Sequence, residues 1–151
     1  MEKGIKMNFI KTNRFYFAFI IALIATAGSL SFSEIFGFVP CELCWFQRIL
    51  MYPLVFILSI AIYKKDQNID IYILPFTILG IIVSGYHILV QRVEFFQERS
   101  FCSIGVPCNA IYIEWFGFLT IPMMSFIAFF LISILCVIGK NKKNEHVQLE
   151  G

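Results

Sequence analysis

The sequence predicts an all-α membrane protein: a single-domain four-transmembrane-helix bundle with two extracytoplasmic loops. Three observations predict it. Of its 151 residues 59% are hydrophobic and only 15% are charged, whereas soluble domains carry about 25% charged residues. A soluble fold of this length could not cover so much apolar surface with so few polar groups. The few charges are also gathered between four long uncharged stretches, Phe15–Ser33, Ile49–Tyr63, Ile71–Gln91 and Trp115–Gly139.

A hydrocarbon core takes roughly 17–25 residues of helix. The first, third and fourth stretches fit directly. The second fits once Trp45 to Leu50 is included, with Arg48 near the interface. Lipid cannot satisfy free backbone groups, so these segments must be helices. The apolar runs are too long for membrane strands and do not alternate. The expected helices cover about 15–33, 43–63, 71–90 and 115–139, followed by a flexible cytoplasmic tail over 140–151. The first run is long for a signal-peptide core and has no clear small-x-small site before Glu34, so it is read as a retained helix.

Orientation follows from lysine and arginine. Lys3, Lys6, Lys11 and Arg14 precede the first helix, Lys64 and Lys65 lie between the second and third, and Lys140, Lys142 and Lys143 follow the fourth. Those are nine of the twelve basic residues, leaving Arg48, Arg92 and Arg99 for the other side. The positive-inside rule then places both termini in the cytoplasm. The segments around 33–44 and 91–115 face outward. A net charge of only +2 gives no case for nucleic acid.

Four of the five cysteines fall in the two outer segments, on the side where disulfides persist. Cys41 and Cys44 form Cys-Glu-Leu-Cys just after Pro40, where the second helix begins. A cysteine at a helix N-terminus meets the positive end of the dipole, which favours the thiolate. Cys41, Cys44 and Arg48 share one helical face at i, i+3, i+7, with Arg48 one turn deeper. That arginine can hold a thiolate, a carbonyl of a ligand or a lipid headgroup, or simply snorkel to the interface. A bridge closing so small a loop gains only about 2 kcal/mol in the chain-entropy model. Reactivity therefore explains the pair better than stability does.

Cys102 and Cys108 lie in a stretch containing Gly105 and Pro107, which should turn back on itself. A structural disulfide there would be ordinary. Two pairs on one face also suit a relay, with the loop pair meeting a water-soluble partner and the helix-end pair meeting a lipid-soluble acceptor. Zinc is disfavoured because the second spacing is long and the compartment oxidising, so no metal is expected. Cys136 has no polar neighbour in sequence and reads as packing. His87, late in the third helix, is a functional candidate or a wet interfacial residue. Gln91–Arg99 is either an amphipathic surface helix or a solvated linker.

Cys41-Glu-Leu-Cys44-Trp45-Phe46-Gln47-Arg48 resembles the hallmark Cys-x-x-Cys-Trp-x-Gln-Arg of the DsbB family of disulfide-forming membrane proteins. The likeness covers nearly the whole chain, including Gly85-Tyr86-His87 in the third helix. It is strongest to the short Gram-positive, BdbC-type branch, through Pro40-Cys41-Glu42-Leu43-Cys44-Trp45, Arg48 to Pro53, Val106-Pro107-Cys108 and Trp115 to Phe118. The resemblance implies a plasma-membrane oxidoreductase that reoxidises an extracytoplasmic thioredoxin-fold partner of DsbA/BdbD type. The electrons would pass to a membrane quinone, menaquinone in preference to ubiquinone. It implies that Cys41 and Cys44 are the quinone-coupled pair and that Cys44 contacts the ring as the thiolate. Arg48 would stabilise the reduced ring's charge, with Trp45 and His87 as further quinone contacts. Cys102 would form the mixed disulfide with the partner, Cys108 would be its mate, and Cys41 would connect the pairs by exchange. The chain departs from long members in having only five residues between Cys102 and Cys108. A reductase of the vitamin-K-epoxide type shares this architecture but carries its catalytic pair on a different helix. The alternative from another class is a non-catalytic membrane subunit with structural disulfides.

Overall fold

The computed structural model describes residues 13–65, 68–98, 102, 107, 108, 111 and 120–149, with side chains of the last helix described as far as Ile138. Its helices are α1 (Arg14–Glu34), α2 (Glu42–Lys64), α3 (Asp70–Arg92), α4 (Glu94–Glu98) and α5 (Ile121–Leu149). No strand occurs among the described residues. Four of them, α1, α2, α3 and the Ile121–Ile138 part of α5, are long and apolar enough to cross a bilayer. At 1.5 Å per residue these spans reach about 27–35 Å, the thickness of a hydrocarbon core.

Local chemistry sets the ends. Pro40 leads into Cys41, the extended N-cap of α2, and Glu42 complements the dipole in its first turn. Lys65 stops α2 in the left-handed conformation (φ 52°), its N–H turned back to the carbonyls of Ala61 and Ile62. Asp70 opens α3 and Arg92 sits in its last turn. The described helix of the fourth span begins at Ile121, and the expected start at Trp115 falls within 112–119, outside the described residues. The helical backbone of α5 continues to Leu149, past Lys140 where the sequence reading begins a flexible tail. No proline interrupts that run of chain.

The spans form a ring: α1 packs on α2 and α5, and α3 packs on α2 and α5. Leu54, Leu58, Ile73, Phe129 and Ile132 are fully enclosed at its centre. The closest approach is between α3 and α5, where a methyl added at Gly80 would overlap the Phe129 ring. Small residues serve this purpose between membrane helices, because lipid supplies no hydrophobic drive for their association. The outward faces carry Ile24, Phe56, Ile71 and Ile82, all exposed, as a lipid-facing surface requires.

At the end of the ring where α1 and α3 begin, Arg14 and Asp70 form a 2.9 Å ion pair with side chains only 4% and 9% exposed. Arg14 Nη1 also donates to the Cys136 carbonyl oxygen at 3.3 Å, and its guanidinium lies 4.4 Å from the Phe15 ring centroid. Arg14, which precedes the first uncharged stretch, is an internal residue, and Cys136, packed in the core as expected, has Arg14 as a polar neighbour through its carbonyl. Tertiary packing brings the three helices together at a place sequence distance conceals. Between Gln91 and Arg99 the helical alternative holds: α4 is one turn, with Phe96 edge-on to Tyr86 at 6.1 Å.

Candidate functional site

The opposite end of the ring gathers the redox-capable side chains. The first turn of α2 closes with the Trp45 N–H on the Cys41 carbonyl, 3.1 Å. That turn sets the Cys41 and Cys44 sulfurs 3.1 Å apart, both as free thiols sharing a hydrogen bond. Cys41 is buried and Cys44 half-buried.

His87 reaches this pair from α3 and is 1% exposed. The Gln47 amide nitrogen donates to Nδ1 at 3.0 Å, which leaves the ring proton on Nε2. Nε2 lies 3.1 Å from the Cys108 carbonyl oxygen and 3.7 Å from Cys41 Sγ. The Cys41 thiol is accordingly pushed down to about 4. The hydrogen bond from Cys44 is the largest cause, and the hydrogen bond from His87 adds to it against the opposing effect of burial. In this arrangement the surroundings of Cys41 favour its thiolate.

Cys102 and Cys108 form a disulfide with Cα atoms 5.9 Å apart. Cys108 is fully buried and Cys102 half-buried. Both pack in one small cluster with Cys41, Cys44, Val90, Tyr86 and Phe96. The two pairs are therefore neighbours. Of the two loop cysteines, Cys108 is also tied to the bundle by its carbonyl oxygen on His87.

On the other side of Cys44 lies a cavity of about 350 Å³. Its walls come from α1, the Phe38–Pro40 connection, α2 and α5, and include Cys44, Gln47, Arg48, Ser29, Phe32 and Phe38. No residue of α3 lines it. The Arg48 guanidinium is turned onto α1: Nε donates to Ser29 Oγ at 2.9 Å, and Nη2 to the Ser29 carbonyl at 2.7 Å and Ser33 Oγ at 3.0 Å. It also lies 5.6 Å from the Trp45 ring centroid.

The expected site residues thus separate into groups. Cys44 and Arg48 share the cavity, and Cys41 joins Cys44 to the loop pair. Trp45 is 53% exposed and points outward, so it props Arg48 without lining the cavity. His87 stands behind the cysteines and does not line it either. Gln47, Ser29 and Ser33 were missed. Gln47 sits inside the motif itself, and the run of Ser29, Ser31 and Ser33 near the end of the first span was the available signal. Cys41, Cys44 and His87 place three ligand atoms within 4.8 Å of one another, a soft donor set of the kind zinc accepts. No fourth His, Cys or carboxylate donor joins them among the described residues.

A half-buried dithiol hydrogen-bonded to itself, set against a closed disulfide and flanked by a mostly apolar cavity, is an arrangement that can carry out thiol–disulfide exchange in a membrane bundle. Comparison with known families agrees: the family described as disulfide bond formation protein DsbB matches residues 11–139. The chain belongs to the DsbB family. It is 52% identical over 130 residues to disulfide bond formation protein C of Bacillus subtilis (strain 168), covering 86% of this chain and 94% of that one. A probable disulfide formation protein of Oceanobacillus iheyensis is 52% identical over 115 residues, 76% and 79% of the two chains. Probable disulfide formation protein C 2 of Bacillus anthracis is 44% identical over 140 residues, 93% and 99% of the two. No solved structure matches. As a DsbB-family chain with four apolar spans, the protein is a multi-pass membrane protein of disulfide formation.

Proposed function

We propose that this membrane disulfide oxidoreductase reoxidises an extracytoplasmic thioredoxin-fold partner of DsbA/BdbD type and passes the two electrons to a membrane quinone. One observation carries the reading: both cysteine pairs share one buried cluster, and Cys44 alone of the four sulfurs also borders the cavity. That is the arrangement a relay between water and lipid needs.

Each exchange balances. A partner thiolate attacks Cys102, the more exposed sulfur of the loop bridge, and releases Cys108 as a thiolate. The partner's second thiolate resolves the mixed disulfide, so the partner leaves oxidised and Cys102 and Cys108 become a dithiol. That dithiol is reoxidised by the Cys41–Cys44 disulfide, with Cys41 as the sulfur attacked because it faces the loop. The pair then stands in the reduced form described above, Cys41 held as the thiolate by the Cys44 thiol and the Nε2–H of His87.

The cavity suits a quinone ring on two counts. Its volume falls in the range of small-molecule sites, and its walls are mostly apolar, with Cys44, Ser29, Arg48 and Gln47 among their polar groups and Thr26, Tyr52 and Ser125 besides. Cys44 and Arg48 would border the ring, with Phe32 and Phe38 as flat walls. A quinone held there supplies a two-electron, two-proton acceptor. Arg48 offers charge and donors where an oxygen gains electron density. Trp45 steadies Arg48 from outside, and His87 serves the thiol side. Menaquinone is the expected quinone, from the likeness to the Gram-positive branch. The basic residues favour cytoplasmic termini and outward cysteines.

Mixing the purified protein with a reduced thioredoxin-fold protein and a soluble quinone analogue tests the reading. One partner disulfide should appear per quinol. Partner oxidation that needs oxygen and yields no quinol would refute it.

A further inference from the structure

Arg48 is anchored by neutral groups alone. Its Nε–H and both Nη2 N–H groups are used on α1, by Ser29 Oγ, the Ser29 carbonyl and Ser33 Oγ. Among the described residues it makes no ion pair, although it lies in the wall of an apolar cavity. The Ser33 hydroxyl is itself fixed, 3.2 Å from the Leu30 carbonyl to which it donates, so its lone pairs are presented to Arg48. A guanidinium has five N–H donors, and the two on Nη1 take part in none of these bonds.

From this we infer that Ser29 and Ser33 are positioning residues for the electron acceptor: they fix the Arg48 guanidinium beside Cys44 while leaving its charge unneutralised. The inference rests on the proposed role of Arg48 toward the acceptor. A carboxylate in place of either hydroxyl would hold the arginine more tightly, because charge-assisted bonds are stronger. It would also cancel the positive potential inside the cavity, where a low dielectric makes that potential strongest. The site therefore needs an anchor that orients without neutralising, which hydroxyl and carbonyl oxygens provide. In the acceptor site the Nη1 donors and the full charge remain for an electron-rich carbonyl oxygen.

The test is binding rather than turnover. Full-length protein with Trp115→Phe leaves Trp45, beside Arg48, as the reporter, and quenching of its fluorescence by a short-chain quinone analogue gives a dissociation constant. Ser29→Ala with Ser33→Ala should weaken binding by about tenfold, the loss of a charge-holding hydrogen-bond set. Ser33→Asp should weaken it at least as much, and Ser29→Thr, which keeps the hydroxyl, should retain it. Exchange between the Cys102–Cys108 bridge and a thioredoxin-fold dithiol should be unchanged in all three, which also shows that they are folded. A purely structural anchor predicts the opposite for Ser33→Asp, namely binding equal to or tighter than that of the parent. Parent-like affinity in the double alanine variant or in Ser33→Asp, with Arg48→Gln still weakened, overturns this inference alone. Parent-like affinity in Arg48→Gln as well overturns the acceptor reading beneath it.

Discussion

The bundle holds one arginine near each end, Arg14 buried and Arg48 half-buried, and treats them oppositely. Arg14 is sealed by a carboxylate, Asp70, and ties α1 and α3 to the backbone of α5. Arg48 is held by hydroxyl and carbonyl oxygens of α1 and faces a cavity beside a thiol. Neutralised, a guanidinium in a membrane protein is a fastener; unneutralised, it is a local source of positive potential that the surroundings must have a use for. Stability should therefore be concentrated at the Arg14 end and electron transfer at the Arg48 end.

The largest separation of the two should come from Cys44→Ser. It should abolish quinone reduction by the purified protein, with thermal unfolding within a few degrees of the parent. Unfolding as severe as that of an Asp70 variant would show that the cysteine end is structural after all. Asp70→Ala should do the reverse. Leaving Arg14 buried without its counter-charge costs about 3–5 kcal/mol, read as a lowered unfolding midpoint, while the quinone affinity of the remaining folded protein is kept. Removing both charges, Arg14→Met with Asp70→Leu, should recover most of that loss. Arg48→His should come next, weakening the apparent quinone affinity by about tenfold through loss of a charged hydrogen-bonding group, with the partner's KM unmoved. An unchanged quinone affinity would remove Arg48 from the acceptor site.

The smallest effect is one of pH. Cys41 is held at about 4 against 9.0 for an ordinary thiol. Between those values the folded dithiol protein binds fewer protons at Cys41 than the unfolded chain does. This group's contribution to stability therefore grows as pH rises across that window and is lost as pH falls through about 4. Alkylation of Cys41 in the dithiol form should stay fast at pH 5 and slow only near 4. His87→Ala should move that midpoint upward, because it removes a hydrogen-bond donor from the thiolate. A midpoint near 8 in the parent would contradict the assignment of the thiolate to Cys41.

The spans were legible because each is a long run without charge, and lipid leaves a helix as the one solution for such a run. The cysteine end was legible because Pro40, the Cys-x-x-Cys spacing and Arg48 all lie within three turns of one helix, where sequence distance is spatial distance. What crosses between helices was not. The spans are apolar on nearly every side, so no stripe records how each is rotated. Ser29 and Ser33 look like any serines that bond back to their own helix. Arg14 looks like a flanking charge until Asp70 comes into reach. His87 could be singled out as a buried candidate, but which side of the cysteine pair it occupies depends on the tilt and rotation of α3 against α2. The same limit hid that Trp45 lies outside the cavity whose wall Arg48 forms.

The central claim is that the Cys41–Cys44 dithiol delivers its electrons to an acceptor seated beside Cys44. Anaerobic mixing of the purified, fully reduced protein with a soluble quinone analogue tests it most directly, with quinol absorbance and free thiols followed together. The account predicts one quinol formed for each Cys41–Cys44 bridge closed, and none from Cys44→Ser. Quinol formation that persists in Cys44→Ser, or a parent protein whose thiols survive the quinone untouched, would contradict it.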